Sequence, residues 1–528
     1  MSPFGLTVLE RFYRRYPQLF PLVAITIGLL LLTSALSVTA GLGPTRCGWW
    51  EPCELAADEG GNLMKGALLL EGYPLYDAIW SDQPPVLSYL LAGLFAVFGS
   101  SLLAARLLML AFSVLLLYAL FRIARRQAGA MAAIFSVFLL ATWWLYAELS
   151  VTVLIGLPAI ALALLALDML LLWREKGSAP WLLVLSGLLM GLSITTKFFT
   201  VITLPLFLCL LLAPRQRGNP AVGFARRMGL ALVWLILFTG PFSLVLLVYG
   251  REAFVALFGT HVDARTTEIA GEGLGENLAI LGRWLLRDIH ILILAAMQLV
   301  LRNQRRRDFT VYLPWIWFFV CLAVFLWHRP LWGHHSLLLF VPLAWLGGIG
   351  AEDLRRLIIR KARVIGLERR ESRLRRWAPW LLVLALLIIG AKLFSQNAWH
   401  VSIFWKTDTF THALLPEEQA ELTRRLEKYK SGTNWVFSDR PFDVFMAGMV
   451  APPPLAVFSD KRVKLWQLKS NTLIEVINAY DVEQVWLRRY QHSPELMDFL
   501  MKENYVLLFH RGWNMHWVKA DVMNSDVR

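Results

Sequence analysis

Residues 84–98 read PPVLSYLLAGLFAVF, and whether this run crosses a membrane decides the topology of everything after it. It is apolar but only 15 residues long, bounded by Pro84-Pro85 at one end and Gly99-Ser100-Ser101 at the other. A bilayer core of about 30 Å asks for roughly 20 apolar residues in a helix. The run falls short of that, so it reads as a helix lying in the interface with one face against the acyl boundary. Residues 59–71, which follow Asp58, read as a second short amphipathic helix of the same kind.

Outward from this point, runs nearly free of charge lie at about 18–39, 102–121, 129–147, 150–172, 181–196, 198–213, 229–250, 279–301, 310–327, 336–351 and 377–395, about eleven spans. Composition agrees: 57% of the 528 residues are hydrophobic, 17% are charged, and mean hydropathy is +0.53. Ordinary soluble domains are about half apolar and about a quarter charged. Disorder, a coiled coil and a fibrous protein are excluded, and a water-soluble enzyme is argued against. The expected fold class is mainly α, a polytopic helical membrane protein with a small α/β domain at its end.

The formal charge of +14 would suggest a nucleic-acid partner in a soluble protein. Here the basic residues sit between spans: Arg11, Arg14 and Arg15; Arg122, Arg125 and Arg126; Arg174 and Lys176; Arg215 to Arg227; Arg302 to Arg307; and a run of ten from Arg355 to Arg376. If 84–98 does not cross, all six groups fall on one side, about 26 basic residues against about nine, which orients the N-terminus to the cytoplasm. A crossing at 84–98 would flip every later group outward. The charge is therefore a topogenic signal, and no nucleic acid is needed to explain it. The first span, with about 22 apolar residues, is too long for a signal peptide and reads as an uncleaved anchor.

Residues 1–395 thus form a membrane domain whose first outer loop is 40–101, and 396–528 a soluble extracytoplasmic domain. In the latter a helix is predicted from Pro416 to about Lys430, closed by Gly432. Strand-like runs follow at 435–438, 484–487 and 505–509, with helical patterns at 470–479 and 494–502. Four cysteines are too few for a disulfide framework. Cys47 and Cys53 share the first outer loop, where an oxidising compartment permits a bridge, with two thiols or a metal pair as alternatives.

Polar groups gather toward the outer face. The segment 40–83 carries Glu51, Glu54, Asp58, Glu59, Glu71, Asp77 and Asp82 against Arg46 and Lys65. Later outer segments add Glu148, Lys197, His261, Asp263, Arg265, Arg283, Arg287, His334 and His335. A lipid-linked sugar phosphate needs just such a set: cations or a metal to hold the phosphate leaving group, and a carboxylate to take the proton of the attacking hydroxyl. Each residue also has a plainer reading. Lys197 can snorkel to the interface, His334-His335 can cap a helix start, and Arg283 and Arg287 can pack beside Trp284.

Read as a string, the first loop gives Asp58-Glu59-Gly60, Gly72-Tyr73-Pro74-Leu75-Tyr76-Asp77, Trp80, Gln83-Pro84-Pro85, Tyr89, Phe98-Gly99 and Ala105-Arg106-Leu107. This order over about fifty residues resembles the integral-membrane GT-C glycosyltransferases, in the branch of the protein O-mannosyltransferases and the lipid A aminoarabinose transferase. Lys197-Phe198 and the His334-His335 loop support it. The resemblance implies a polyprenyl-phosphate sugar donor, inversion at the anomeric carbon, a protein, lipid or glycan acceptor, and a bacterial inner-membrane location. Asp58 falls at the catalytic carboxylate position, and Glu148 at a second acidic position usually filled by Asp. Asp82 and His261 match a pair that holds a divalent cation in the aminoarabinose relative, with Glu59 or Asp263 as further ligands. Zinc suits a carboxylate and an imidazole, magnesium or manganese being the alternatives. The residue before Pro-Pro, usually Lys or His, is Gln83, which can hydrogen-bond the donor phosphate but not neutralise it; either Lys197, Arg265, Arg283 or Arg287 supplies the charge, with His334 and His335 beside it, or the donor differs from the usual one.

The competing class is a transporter or flippase. Such proteins commonly show repeated halves and broken helices with polar groups at the midplane, whereas the polar groups here collect at one face.

Overall fold

Apolar helices dominate the architecture, a computed structural model that describes residues 19–39, 48–177, 179–214, 223–266, 273–301, 309–364, 416–465, 467–488, 494–511 and 514–525. Among the described residues, six helical segments are long and apolar enough to cross a bilayer: Leu19–Val38, Leu102–Ala128, Gly156–Lys176, Phe224–Asp263, Phe309–Trp327 and Gly333–Arg360. Five shorter apolar helices accompany them: Val86–Phe98, Ala130–Ala141, Pro180–Thr196, Phe198–Leu212 and Ile289–Val300. The chain is an integral membrane protein.

Local chemistry sets the ends of these helices. Leu102–Ala128 starts where the Ser101 hydroxyl accepts the Ala104 N–H at 3.3 Å, and it stops after Arg125 and Arg126 at Gly129, whose φ of 98° favours glycine. Basic residues in a last turn also complement the helix dipole. Helices approach closely where side chains vanish: a β-carbon on Gly350 would stand 1.9 Å from the Leu294 carbonyl oxygen, and one on Gly348 would strike Ala132 and Ser136. With lipid on the outside, van der Waals packing of this kind is what associates helices.

Three expectations need correction. The span expected over 279–301 is two helices, Leu274–Arg287 and Ile289–Val300, joined at the non-helical Asp288. The span expected over 129–147 ends as a helix at Ala141, and only a short helix, Tyr146–Leu149, follows. Residues 59–71 do form a helix, Glu59–Leu70, but Glu59 to Leu68 are all buried, so it does not lie with one face in lipid. The span expected at 377–395 and the boundary at 395/396 lie outside the described residues.

What covers the helix Glu59–Leu70 is the C-terminal region. There β1 (Val436–Ser438), β2 (Gln484–Leu487), β3 (Tyr505–Arg511) and β4 (Asn514–Lys519) form a sheet in the order β1-β2-β4-β3. The β1–β2 pair is parallel and the others are antiparallel. The helices Ser470–Ala479 and Pro494–Lys502 stand as expected. The strand β4, with His516 and polar ends, was not anticipated, because it lacks an apolar run.

One apolar cluster joins Leu63, Leu68, Leu87 and Phe95 of the first loop to Leu426, Phe442, Phe445 and Trp486. The contact is tight: a β-carbon on Gly60 would lie 2.4 Å from the Phe442 nitrogen. Arg440 pairs with Glu54 at 2.7 Å across the same seam, both side chains being nearly buried.

The helix Leu102–Ala128 allows a direct test of topology. At 27 residues it is roughly 40 Å long, enough to cross. Single cysteines at Ser100 and Arg125 are expected to react with impermeant reagents from opposite sides, and labelling of both from one side would overturn the assignment.

Candidate active site

Asp58 stands at the N-cap of Glu59–Leu70, exposed, and its side chain makes no capping hydrogen bond. Its carboxylate is therefore not engaged in the cap that an aspartate at this position commonly forms. Lys65 lies seven residues on, on the same helix face. It is 4% exposed, and no carboxylate among the described residues comes within 4 Å of it. Burial lowers its pKa, and the fields of Asp82 and Asp58 raise it back in part.

A second, half-buried cation faces the same two carboxylates. Lys197 sits where Pro180–Thr196 ends. A β-carbon on Gly156, which opens the helix Gly156–Lys176, would lie 3.7 Å from its ammonium nitrogen. Burial pushes Lys197 down to about 8, against Asp58 and Asp82, which raise it. A cation over the positive end of a helix dipole lacks its natural counter-charge, and both call for an anion. Lys197 acts in turn on His334 and His335. His335 also serves its helix start, since its Nδ1 accepts the Trp332 N–H at 3.3 Å.

Asp82 is brought to the same place. Burial works against its ionisation, but the charge and hydrogen bond of Lys461, with the charge of Lys65, hold its pKa below the usual carboxylate value. Lys461 Nζ donates to Asp82 Oδ2 at 2.9 Å and lies 3.1 Å from His261 Nδ1, while His261 Nε2 lies 3.3 Å from the Asp82 carbonyl oxygen. An ammonium can only donate, so Nδ1 accepts, the proton is on Nε2, and the ring is neutral. Arg462, next in sequence, stacks 4.5 Å from the Trp80 ring centroid and donates to the carbonyls of Pro454 and Val457. Burial brings it down to about 10, with Asp82 opposing.

The expected cation pair Asp82–His261 thus does meet, and the cation between them is a side chain. The donor set does not fit a divalent ion. Asp82 Oδ2 and His261 Nδ1 are both engaged by the ammonium, and His261 Nε2 faces the Asp82 carbonyl oxygen. Among the described residues, no three of His, Cys, Asp and Glu gather as a metal site. Glu59, expected as an orienting or metal-side group, is fully buried and engaged elsewhere. It pairs with Arg106 at 2.8 Å, both side chains 0% exposed, and it accepts the backbone N–H groups of Leu55 and Val153. Arg106 also donates to the carbonyls of Trp49, Glu51 and Cys53. The pair ties the first loop to the helix Leu102–Ala128.

Glu148 lies in the short helix Tyr146–Leu149, half-buried, and is pushed up to about 8 by burial first and by Glu59 second. Gln83 is held by its backbone, the carbonyl accepting the Tyr76 hydroxyl at 2.8 Å. Arg287 stacks 3.8 Å over Trp144 and Arg283 is exposed; the packing expected beside Trp284 is found on a different tryptophan. Arg265 belongs to the helix Thr260–Thr266, but its side chain is outside the described residues. Cys53 is disulfide-bonded, Cys209 and Cys321 are free, and Cys47 is outside the described residues.

Three functional candidates escaped the sequence reading. Lys65 had a signal, its two-turn spacing from Asp58. Lys461 and Arg462 had none, because their partners lie in distant segments.

A family model for dolichyl-phosphate-mannose-protein mannosyltransferases matches residues 82–241, a stretch that includes Asp82, Arg106, Glu148 and Lys197. No curated protein sequence matches. Among solved structures, ArnT from Cupriavidus metallidurans, bound to undecaprenyl phosphate, is similar at 15% identity and a TM-score of 0.60, over 95% of this chain and 98% of that one. The oligosaccharyltransferase AglB from Archaeoglobus fulgidus, in complex with an inhibitory peptide and a dolichol-phosphate, is similar at 11% identity and a TM-score of 0.52, over 96% of this chain and 75% of that one. At such identities the likeness is one of fold. The chain shares its fold with these two solved structures, in line with the resemblance of its first loop.

Proposed function

We propose that this chain moves a sugar from a polyprenyl-phosphate carrier to an acceptor hydroxyl at the extracytoplasmic face of a bacterial inner membrane, with inversion. The observation that carries the reading is the exposed Asp58 carboxylate set beside the buried Lys65 and the half-buried Lys197, neither of which has a carboxylate in contact among the described residues. A base open to water and cations awaiting an anion suit a lipid-anchored phosphate donor and a water-borne acceptor.

In this mechanism Asp58 takes the proton of the acceptor hydroxyl as its oxygen bonds to the anomeric carbon. On the opposite face the bond from that carbon to the phosphate oxygen breaks. The polyprenyl phosphate leaves with the electron pair, its new charge met by Lys197 and Lys65, and Asp58 returns its proton to water. Glu148 has the pKa of a group able to carry a proton near neutrality and supports the acceptor side.

The pH dependence of donor binding tests the lysine assignment. With Lys197 near 8, its charged fraction falls about tenfold between pH about 7 and about 9. Donor KM is expected to rise by about that factor, and ionisation of Glu148 over the same range pushes in the same direction. Lys197→Arg, which keeps its charge, is expected to flatten most of the rise. A parent profile without the rise would remove Lys197 from the phosphate site.

A further inference from the structure

Lys461 closes a ring of three chain segments. Its ammonium bonds Asp82 Oδ2 at 2.9 Å and His261 Nδ1 at 3.1 Å, and His261 Nε2 returns to the Asp82 carbonyl oxygen at 3.3 Å. The partners are separated by 379, 200 and 179 residues in sequence, so folding alone assembles them. The ion pair is sheltered, with side-chain exposures of 14% and 15%. In such surroundings a charge pair counts for far more than at an open surface.

We propose that the Lys461 ammonium is a tethered cation that takes the place of a divalent ion at the Asp82–His261 pair, so that the protein works without one and the C-terminal region becomes part of the donor site. The inference rests on the glycosyltransferase reading for its purpose, though not for its geometry. A divalent ion shared by Asp82 Oδ2 and His261 Nδ1 would have to sit about 2 Å from each, in the space between them that the ammonium takes. Lys65 and Arg462 also act on Asp82, so a single carboxylate already answers three cationic side chains. Adding two further positive charges there would be unfavourable. A tethered ammonium brings one charge and three donors. Two donors hold Asp82 and His261, and the third is left for a phosphate oxygen.

The test uses the purified full chain, stripped with chelator and then dialysed against zinc. The parent is expected to retain less than about 0.1 zinc per chain. Lys461→His, which places an imidazole where the ammonium stands, is expected to retain about one, lost again when Asp82→Asn or His261→Ala is added. A parent that retains about one zinc, lost in Asp82→Asn, would overturn the proposal. So would a Lys461→His protein that melts normally and retains none.

In transfer assays, chelator is expected to leave the parent rate within about twofold. Lys461→Met is expected to raise donor KM about tenfold with kcat within about threefold, and Lys461→Arg to recover most of the loss. Parent transfer abolished by chelator and restored by zinc would also overturn it. A parent that transfers no sugar from any polyprenyl-phosphate donor would fail the glycosyltransferase reading alone, since zinc retention is read without substrate and still decides the role of Lys461.

Discussion

Asp58→Asn is expected to lower turnover by about 10²–10⁴, or roughly 3–5 kcal/mol of barrier, with donor KM little changed. The substitution keeps shape and hydrogen-bonding reach but removes the proton acceptor. Its fold cost is expected to be small. The Asp58 side chain makes no capping hydrogen bond, and asparagine is as good an N-cap as aspartate should the helix need one. The donor-facing cations Lys65 and Lys197 stay in place, so binding largely persists while chemistry stops. The measurement is single-turnover transfer at matched membrane expression. A rate within about threefold of the parent would send the base assignment to Glu148, whose pKa of about 8 suits that task.

Arg106→Ala is expected to have the largest effect on folding. Arg106 and Glu59 are both fully buried, and the guanidinium also satisfies the carbonyls of Trp49, Glu51 and Cys53. Removing it leaves a buried carboxylate without its counter-charge and three carbonyls short of a donor. Breaking one side of a buried pair commonly costs about 3–5 kcal/mol, a large part of the 5–15 kcal/mol that holds a typical domain. Loss of folded protein in detergent, read by thermal melting and size exclusion, is the expected outcome. Glu59→Gln, which keeps the hydrogen-bonding shape, is expected to be milder. A well-folded Arg106→Ala protein with impaired transfer would instead return Glu59 to the reacting groups.

These two neighbouring carboxylates show how much of the site was legible. Asp58 and Glu59 are adjacent and chemically alike, and a string of letters offers only their alternation around a helix start. One is exposed at the mouth and the other is locked to Arg106, and that difference is set by a residue 47 positions away. Lys65 was within reach of periodicity, because its distance from Asp58 is a local property of a helix. Lys197 was legible from its place at the end of an apolar run.

The sequence by itself determined the membrane class, the shortness of the Val86–Phe98 helix, the position of most helices, and three of the four strands. All of these rest on local properties: the length of an apolar run, its period, a serine or a glycine at an end. Tertiary structure alone decided that Glu59–Leu70 is buried under Phe442 rather than laid in lipid, and that Asp288 breaks an apolar stretch into two helices. It also decided that the cation shared by Asp82 and His261 is Lys461. The physical reason is the same in each case. Burial and charge pairing depend on which distant segment packs alongside, and an isolated aspartate, histidine or lysine carries no mark of the partner that folding will bring to it.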